Sequence, residues 1–315
     1  MILTQVCSAP TITVDQSPVR YEIHDRFTVS PPKSLQHRLE IWCPIIPETP
    51  YQRLLDIAIE APGNWSLNRD VEFGNSILHA QFSGSLPTEL TFHIHYRVER
   101  LPVAHALHPI CVSTLKTPAL FARSLQSEQF VEINDKTRSL AQDIIGQENN
   151  LLEQARLIYD YTTGTMTYDA VSQSWTGSSD HALVCSAGNC NDIHALFIAL
   201  CRSTNIPARL ILGQALEPAL PGEEGCELCG YHCWAEFFAP GLGWVPVDAS
   251  CACRYGKHQL FGNLELNHIA WSVGRDLLLS PPQHEPRLLF FVGPYAEVDG
   301  QRYRQIDRRL TFTEL

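Results

Sequence analysis

The chain has 315 residues and a formal net charge of −11, from 23 lysines and arginines against 34 aspartates and glutamates. No basic run stands out, which argues against nucleic acid and anionic membranes as main partners. A hydrophobic content of 44% is ordinary for a soluble globular protein, and the length suggests two domains or one large domain with additions. The N-terminus lacks the charged and apolar regions of a signal peptide, and no segment approaches a membrane span, so a cytoplasmic location is expected.

The first third of the chain has the two-residue period of β-strands. In "FHIHYRV" at 92–98 the apolar side chains alternate with His and Arg, as in a half-buried strand. The runs "VRYEIHDRFTV", "HRLEIWCPI", "RLLDIAIEA" and "SILHAQF" are further candidates, separated by Pro, Gly and Asn. Several strands without intervening helices predict an N-terminal antiparallel β-sandwich, which we assign to residues 1–120.

A helical period follows in residues 121–315. Leu151, Leu152, Ala155, Ile158 and Tyr159 share one stripe of a predicted helix. A second helix is predicted from the apolar spacing that begins at 193 and ends before the proline at 207. The stretch "GYHCWAEFFAPGLGWVPVDAS" at 230–250 then reads as two strand-like runs around a Pro-Gly turn, which predicts a β-hairpin.

Cys190 lies directly after a Gly-Asn turn and would occupy the first turn of the second helix. Unpaired N–H groups and the helix dipole favour negative charge there, so the thiol is expected to have a lowered pKa and to act as a nucleophile. The alternative is a buried cysteine that packs as a small hydrophobe. Eleven cysteines in a chain of this length favour reduced thiols, catalysis or metal binding over a disulfide framework.

The hairpin supplies two possible partners for this thiol. If its strands pair about a turn at 239–242, opposite positions add up to about 480, and His232 faces Asp248. A carboxylate beside an imidazole fixes its tautomer and stabilises the imidazolium. Cys190, His232 and Asp248 would then form an acyl-transfer site if the helix start meets the hairpin. A surface His–Asp pair with no thiol nearby is the alternative.

The motifs "GNCNDIHALFIALCRSTNIPARLILG", "GYHCWAEFFAPGLGWVPVDAS", "NHIAWSVGRDLLLSPP" and "GPYAEVDG" resemble the bacterial branch of the transglutaminase-like superfamily, in colinear order over roughly residues 120–300. The resemblance implies a papain-like α+β core, with the nucleophile on a central helix and the His and Asp on neighbouring strands. It implies Cys190 as nucleophile, His232 as general base and Asp248 as the orienting acid of a Cys-His-Asp triad. A β-domain often precedes the catalytic core in this family.

The remaining motif positions imply a second set of roles. The backbone N–H of Cys190 is one candidate oxyanion donor, and the alignment of "SWTGSSD" with a Trp-Gly-rich stretch of the family makes Trp175 the other, although a buried structural Trp remains an alternative. Asp192 complements the helix dipole, and His194 is expected to be structural rather than catalytic.

Four cysteines depart from the family pattern: Cys226 and Cys229 in "CELC", and Cys251 and Cys253 in "CAC". The hairpin register places the two stretches opposite each other, where four thiols could hold a structural zinc ion. Free thiols or a redox disulfide are the alternatives. Cys233 points away from His232 on the same strand and is expected in the core.

The combined expectation is an acyl-transfer enzyme that acts through an acyl-thioester, with hydrolysis of a peptide or amide favoured and amide formation from a glutamine or thioester donor and an amine as the first alternative. A non-catalytic binding module on the same fold is a second alternative. A metalloenzyme at the cysteine cluster ranks last, because four thiolates leave no open position for substrate. No cofactor is expected for the chemistry, and no acidic loop has calcium-ligand spacing.

Overall fold

The computed structural model describes residues 17–32, 38–104, 121–171, 176–216, 226–227 and 230–315. The strands are β1 Val19–Val29, β2 Leu39–Pro44, β3 Gln52–Glu60, β4 Trp65–Arg69, β5 Ser76–Phe82, β6 Leu90–Arg100, β7 Val103–Ala104, β8 Thr167–Tyr168, β9 Ala187–Gly188, β10 Ala208–Ala215, β11 Cys226–Glu227, β12 His232–Ala239, β13 Gly243–Val247, β14 Asn263–Leu264, β15 His268–Val273, β16 Tyr295–Val298, β17 Gln301–Tyr303 and β18 Ile306–Glu314. The helices are α1 Ala122–Leu125, α2 Asp135–Ile145, α3 Leu151–Thr165, α4 Ser179–Cys185, α5 Cys190–Ser203 and α6 Ala249–Tyr255. Within the described ranges no helix has the length and apolar character that a membrane crossing requires.

The N-terminal strands form the predicted antiparallel sandwich. One five-stranded sheet has the order β11-β18-β1-β6-β3, and the other has the order β17-β16-β2-β5-β4. The two sheets share an apolar core, to which β1 and β6 of the first sheet contribute alternate side chains and β2 and β5 of the second contribute theirs. Strands β16 to β18, from the C-terminal end of the chain, complete the two sheets. The proposed division at residue 120 stays a prediction, since residues 105–120 lie outside the described ranges.

The second unit combines helices with an antiparallel sheet of the order β13-β12-β10-β15, which confirms the α+β class. Helix α5 is buried from Cys190 to Arg202, on all sides of the helix. Helices α2, α3, α4 and α6 and strand β12 pack around it. A helix surrounded in this way is central to the core, so its first residue is held in a fixed position relative to the sheet.

The hairpin forms, but in a register two residues away from the predicted one. Ala235 pairs with Val247, and the strand pairing stops there because Asp248 begins helix α6. His232 instead pairs with Gly213 of β10. The prediction that His232 and Asp248 are cross-strand partners is therefore wrong, although their side chains do meet.

Gly213 is required where β12 and β15 both approach β10, at a register shift between Leu212 and Gly213. A Cβ at this position would overlap the carbonyl oxygen of Ile269 and lie 2.7 Å from the ring of Trp234.

We expect Gly213→Ala to lower the free energy of unfolding by about 1–3 kcal/mol, because the Ile269 backbone and the Trp234 indole cannot both move away from the added methyl group. Thermal melting checks this. Gly164→Ala, where an added Cβ meets no atom within 4 Å, is the matched control. Equal melting temperatures for the two variants would contradict the expectation.

Candidate active site

Cys190 is the first residue of α5, and the side chains on either side of it hold the helix start in place. The Asn189 side chain accepts a hydrogen bond from the Asn191 N–H at 2.9 Å. Asp192 completes a capping box by accepting from the Asn189 N–H at 3.1 Å, and its other oxygen accepts from the Ser178 N–H at 3.1 Å. The thiol is thus fixed at the positive end of the helix dipole, with 8% of the residue exposed. These contacts confirm the structural role predicted for Asp192.

His232 lies at the start of β12, beside the thiol of Cys190. Its Nε2 donates to Asp248 Oδ2 at 2.7 Å. The Cys190 and His232 side chains are close enough that each shifts the pKa of the other. Because Nε2 is engaged by the carboxylate, Nδ1 is the nitrogen left for the sulfur. The structure therefore brings together the three side chains singled out from the sequence.

Asp248 caps helix α6 and is completely buried. Its Oδ1 accepts from the Ser250 hydroxyl at 2.9 Å and from the Cys251 N–H at 2.8 Å. Its Oδ2 accepts from His232 and also from His268 Nε2, at 3.0 Å. Four donors thus surround one carboxylate, which fixes its plane and compensates for the loss of hydration.

Each of these groups shifts the pKa of its neighbour in the direction that favours the charged form. A hydrogen bond from the Cys233 thiol, together with the hydrogen bond and charge of His232, holds the pKa of Cys190 well below its usual value, although burial acts in the opposite direction. Burial lowers the pKa of His232, but the charge and hydrogen bond of Asp248 outweigh it and raise that pKa well above the usual value. The cluster therefore favours a thiolate beside an imidazolium at neutral pH.

Cys233 is buried in the core, as predicted, and the same core cluster contains the nucleophile Cys190. Its thiol lies 3.3 Å from Asn191 Oδ1, and burial raises its pKa well above the usual value. A neutral thiol can donate a hydrogen bond to the Cys190 sulfur. The strand period, which places neighbours on opposite faces, concealed this contact.

His194 connects α5 to α6, in agreement with the structural role predicted for it. Its Nδ1 donates to the Cys190 carbonyl oxygen at 2.8 Å, and its Nε2 accepts from the Ala249 N–H at 3.1 Å. Burial lowers its pKa, so the imidazole is neutral and these two bonds define its tautomer.

His268 is the member of the cluster that sequence reasoning missed. It is the first residue of β15, fully buried, and its ring packs edge-to-face on the rings of His232 and Trp234. The only signal in the sequence was a histidine at the start of the strand-like run "HIAWSV", within a motif to which no role was assigned. Nothing local indicates that this run lies beside the hairpin.

Two of the four predicted zinc cysteines lie on a helix and not on the hairpin. Cys251 and Cys253 are in α6, so the prediction that "CAC" continues the hairpin is wrong: the helix begins where Asp248 caps its first N–H groups. The Cys251 sulfur lies 3.9 Å from His232 Nε2, whereas the Cys253 sulfur lies 4.0 Å from the Thr163 carbonyl oxygen. Only the backbone of Cys226 is described, in β11 beside β18, and Cys229 and Trp175 lie outside the described residues. The four-thiol zinc site and the oxyanion role of Trp175 stay predictions.

Two groups of described side chains offer metal-ligand atoms within 4.8 Å of one another. One is His232, Asp248, Cys251 and His268 of the site itself, whose atoms are joined by the hydrogen bonds given above. The other is Glu22, His24 and His95 on the sandwich, where the two histidines face each other across β1 and β6. Neither group combines Cys251 with Cys253.

Both the sequence and the fold are similar to those of other proteins. An uncharacterized protein of Haemophilus influenzae is 26% identical over 331 residues, which covers 91% of this chain and 88% of that protein. The crystal structure of a putative cysteine protease from Cytophaga hutchinsonii matches with a TM-score of 0.62 at 16% identity, over 95% of this chain and 92% of that one. At this identity the match shows a shared fold over nearly the whole length of both chains.

A family model matches the part of the chain that carries the site. The model of the transglutaminase-like superfamily aligns with residues 138–249, from helix α2 to the first residue of α6. This range contains Cys190, His232 and Asp248. The resemblance predicted from the sequence motifs is therefore confirmed for this segment, which matches the transglutaminase-like superfamily.

Proposed function

We propose that this protein is a cysteine-dependent acyl-transfer enzyme in which Cys190 is the nucleophile, His232 the general acid and base, and Asp248 the orienting carboxylate. One observation carries the proposal. The thiol at the start of a buried helix is close enough to the His232 imidazole for each to shift the pKa of the other, and Nε2 of that imidazole lies 2.7 Å from a buried carboxylate. This arrangement can activate a thiol, transfer a proton and keep the imidazole oriented.

The reaction begins with attack of the Cys190 thiolate on a carbonyl carbon, which forms the C–S bond of a tetrahedral intermediate. The His232 imidazolium then gives its proton to the leaving amine, the C–N bond breaks and an acyl-thioester remains. Neutral His232 next removes a proton from water, and the resulting hydroxide attacks the thioester. The C–S bond breaks, a carboxylic acid leaves, and the thiolate and imidazolium are restored.

The negative oxygen of each tetrahedral intermediate needs hydrogen-bond donors. The Cys190 N–H lies in the first turn of α5, where N–H groups have no acceptor within the helix. Trp175 is our proposal for the second donor. The helix dipole of α5 adds a favourable field at the same place.

We favour water as the acceptor, so that the substrate is a peptide or another amide. The Cytophaga hutchinsonii protein, which shares the fold over 95% of this chain, bears a cysteine protease name, and that name supports hydrolysis. Amide formation uses the same thioester with an amine in place of water. Incubation of the purified protein with peptides, acyl-thioesters and amines, followed by mass spectrometry, distinguishes the two. Free acid alone supports hydrolysis, and a product joined to the amine overturns it.

The pH dependence follows from the directions of the two pKa shifts. The thiolate forms as pH rises through the lowered pKa of Cys190, and the imidazolium persists until pH reaches the raised pKa of His232. We therefore expect a bell-shaped kcat/KM profile whose plateau spans neutral pH. Iodoacetamide at pH 6 should label Cys190 more than about tenfold faster than Cys185, an exposed thiol in the same chain, because the lowered pKa of Cys190 favours the reactive thiolate at that pH. If Cys190 reacts no faster than Cys185, the proposed function fails.

A further inference from the structure

Asp248 binds two imidazoles through one oxygen atom, and the role of the second imidazole is not explained by the catalytic triad. His232 Nε2 and His268 Nε2 lie 2.7 and 3.0 Å from Asp248 Oδ2. Acyl transfer as proposed above uses only the first of them. A carboxylate needs one imidazole to orient a catalytic histidine, so the second requires its own explanation.

The position of His268 is firmly determined by its neighbours. Its backbone is part of β15, where it pairs with Ala215 of β10, and its Nδ1 lies 2.8 Å from the Asn267 side chain. The ring packs edge-to-face against His232 at 5.2 Å and against Trp234 at 5.3 Å between ring centroids. The side chain has no exposed surface. Because the His268 side chain is enclosed by Asp248, Asn267, His232 and Trp234 and has no solvent-exposed surface, it cannot contact a substrate. Any effect of His268 on catalysis must therefore act through Asp248.

The charge state of His268 decides what it contributes. Burial is the largest influence on its pKa and lowers it, so the ring is neutral at neutral pH. A neutral imidazole has one N–H, and a carboxylate can only accept, so that N–H is on Nε2 and points at Asp248. His268 therefore donates a hydrogen bond without adding a positive charge that would repel His232.

We propose that His268 is a positioning residue of this site, which fixes the Asp248 carboxylate toward His232 and takes up part of the negative charge that would otherwise act on His232 alone. The inference rests on the proposed function in so far as it concerns catalysis. A hydrogen bond to a carboxylate stabilises its charge and weakens its attraction for other protons. His232 is thereby kept acidic enough to release its proton to the leaving group, while Asp248 still holds it in place.

Other titratable groups face the same pair and set the background against which His268 acts. The groups that interact with His232 or Asp248 are Cys190 and His194 from α5, Tyr159 from α3, Tyr168 from β8, Cys251 and Cys253 from α6, and Cys233 from β12. Arg100 from β6 interacts with His268 itself. Substitution of His268 leaves all of them in place. A change in the titration of His232 in such a variant can therefore be assigned to the lost hydrogen bond.

The test compares His268→Leu, which removes the donor, with His268→Gln, whose side-chain nitrogen is the same number of bonds from Cα as Nε2 of His. In the full-length protein, ¹⁵N NMR of labelled histidine rings gives the pKa of His232 directly. We expect His268→Leu to raise that pKa by about half a unit to one unit and to lower kcat/KM near neutral pH by about tenfold or more. His268→Gln should restore both values to near those of the native protein. His268→Asn, polar but one bond too short, replaces the leucine variant if that variant does not fold.

Two results would overturn the inference. One is an unchanged His232 titration and kcat/KM in His268→Leu with only a lower melting temperature, which would show a purely structural role. The other is a glutamine variant that behaves like the leucine variant, since the donated hydrogen bond would then not matter. The NMR measurement needs no substrate, so failure of the inference differs from failure of the proposed function, which the labelling of native Cys190 tests separately.

Discussion

Replacement of Cys190 by alanine is expected to lower kcat/KM by at least about 10³-fold, because the acyl group then has no sulfur with which to form a thioester. The same change should abolish the fast phase of iodoacetamide labelling at pH 6. The fold should persist, since alanine is smaller than cysteine, favours helices and leaves the Asn189–Asp192 cap intact. Circular dichroism and a melting curve check the fold, and turnover of whichever peptide or thioester the native protein consumes checks the activity.

A direct measurement identifies the acylated residue as well. Native protein quenched in acid during turnover should carry the acyl group on the peptide that contains Cys190, as seen by mass spectrometry. Cys185→Ser is the matched control, because this thiol is exposed, is five residues away and should change kcat/KM by less than about twofold. Full activity in Cys190→Ala, or an adduct on another cysteine, would refute the assignment of the nucleophile.

The second large effect is expected for Asp248→Asn. Asparagine is as good a helix cap as aspartate, so its amide oxygen can still accept from the Cys251 N–H and helix α6 should remain folded. In the native protein both imidazoles donate a hydrogen bond to Asp248 Oδ2. In the variant the NH₂ group of asparagine takes the place of this oxygen, and it cannot accept these bonds. Because His232 loses its acceptor and the charge that raises its pKa, the imidazolium is no longer favoured.

We expect this variant to lose about 10³- to 10⁴-fold in kcat/KM, the size of effect known when the carboxylate beside a catalytic histidine becomes an amide. The pH at which Cys190 becomes reactive should move upward, toward that of an ordinary thiol, since the neighbouring positive charge is gone. Iodoacetamide labelling between about pH 5 and 9 measures this movement. Ser250→Ala, which removes only a donor to Oδ1, is the control and should have a much smaller effect. An unmoved labelling profile in Asp248→Asn would show that Asp248 does not control the charge of His232.

Much of the candidate site was predictable from local patterns. The Gly-Asn turn before an apolar period of 3.6 placed Cys190 at a helix start, since capping and amphipathicity depend on neighbours a few residues away. The Pro-Gly turn between two strand-like runs predicted the hairpin, and with it the nearness of His232 and Asp248. The resemblance to the transglutaminase-like superfamily then extended these local predictions to a fold.

The wrong predictions, the hairpin register and the strand through "CAC", arose where a local pattern was continued past the residues that determine it. Strand pairing was continued through "CAC", but a carboxylate that caps N–H groups starts a helix, and Asp248 therefore ends the hairpin. The burial of Cys233 in the core was predicted correctly, but its contact with the first turn of α5 was not, because the pattern of the strand says nothing about the helix packed against it. Strand alternation predicts which way a side chain points, but not how far away the next layer lies.

What the sequence alone determined about this protein is its set of local elements and the order of its reactive residues, because helix caps, periodicity and turns are encoded over a few neighbouring positions. Only the tertiary structure decided that His268 binds Asp248 and that the C-terminal strands β16 to β18 complete the N-terminal sandwich. Both depend on contacts between segments distant along the chain. Such contacts are selected by the packing of whole sheets and helices against a shared core, and no short stretch of residues specifies them.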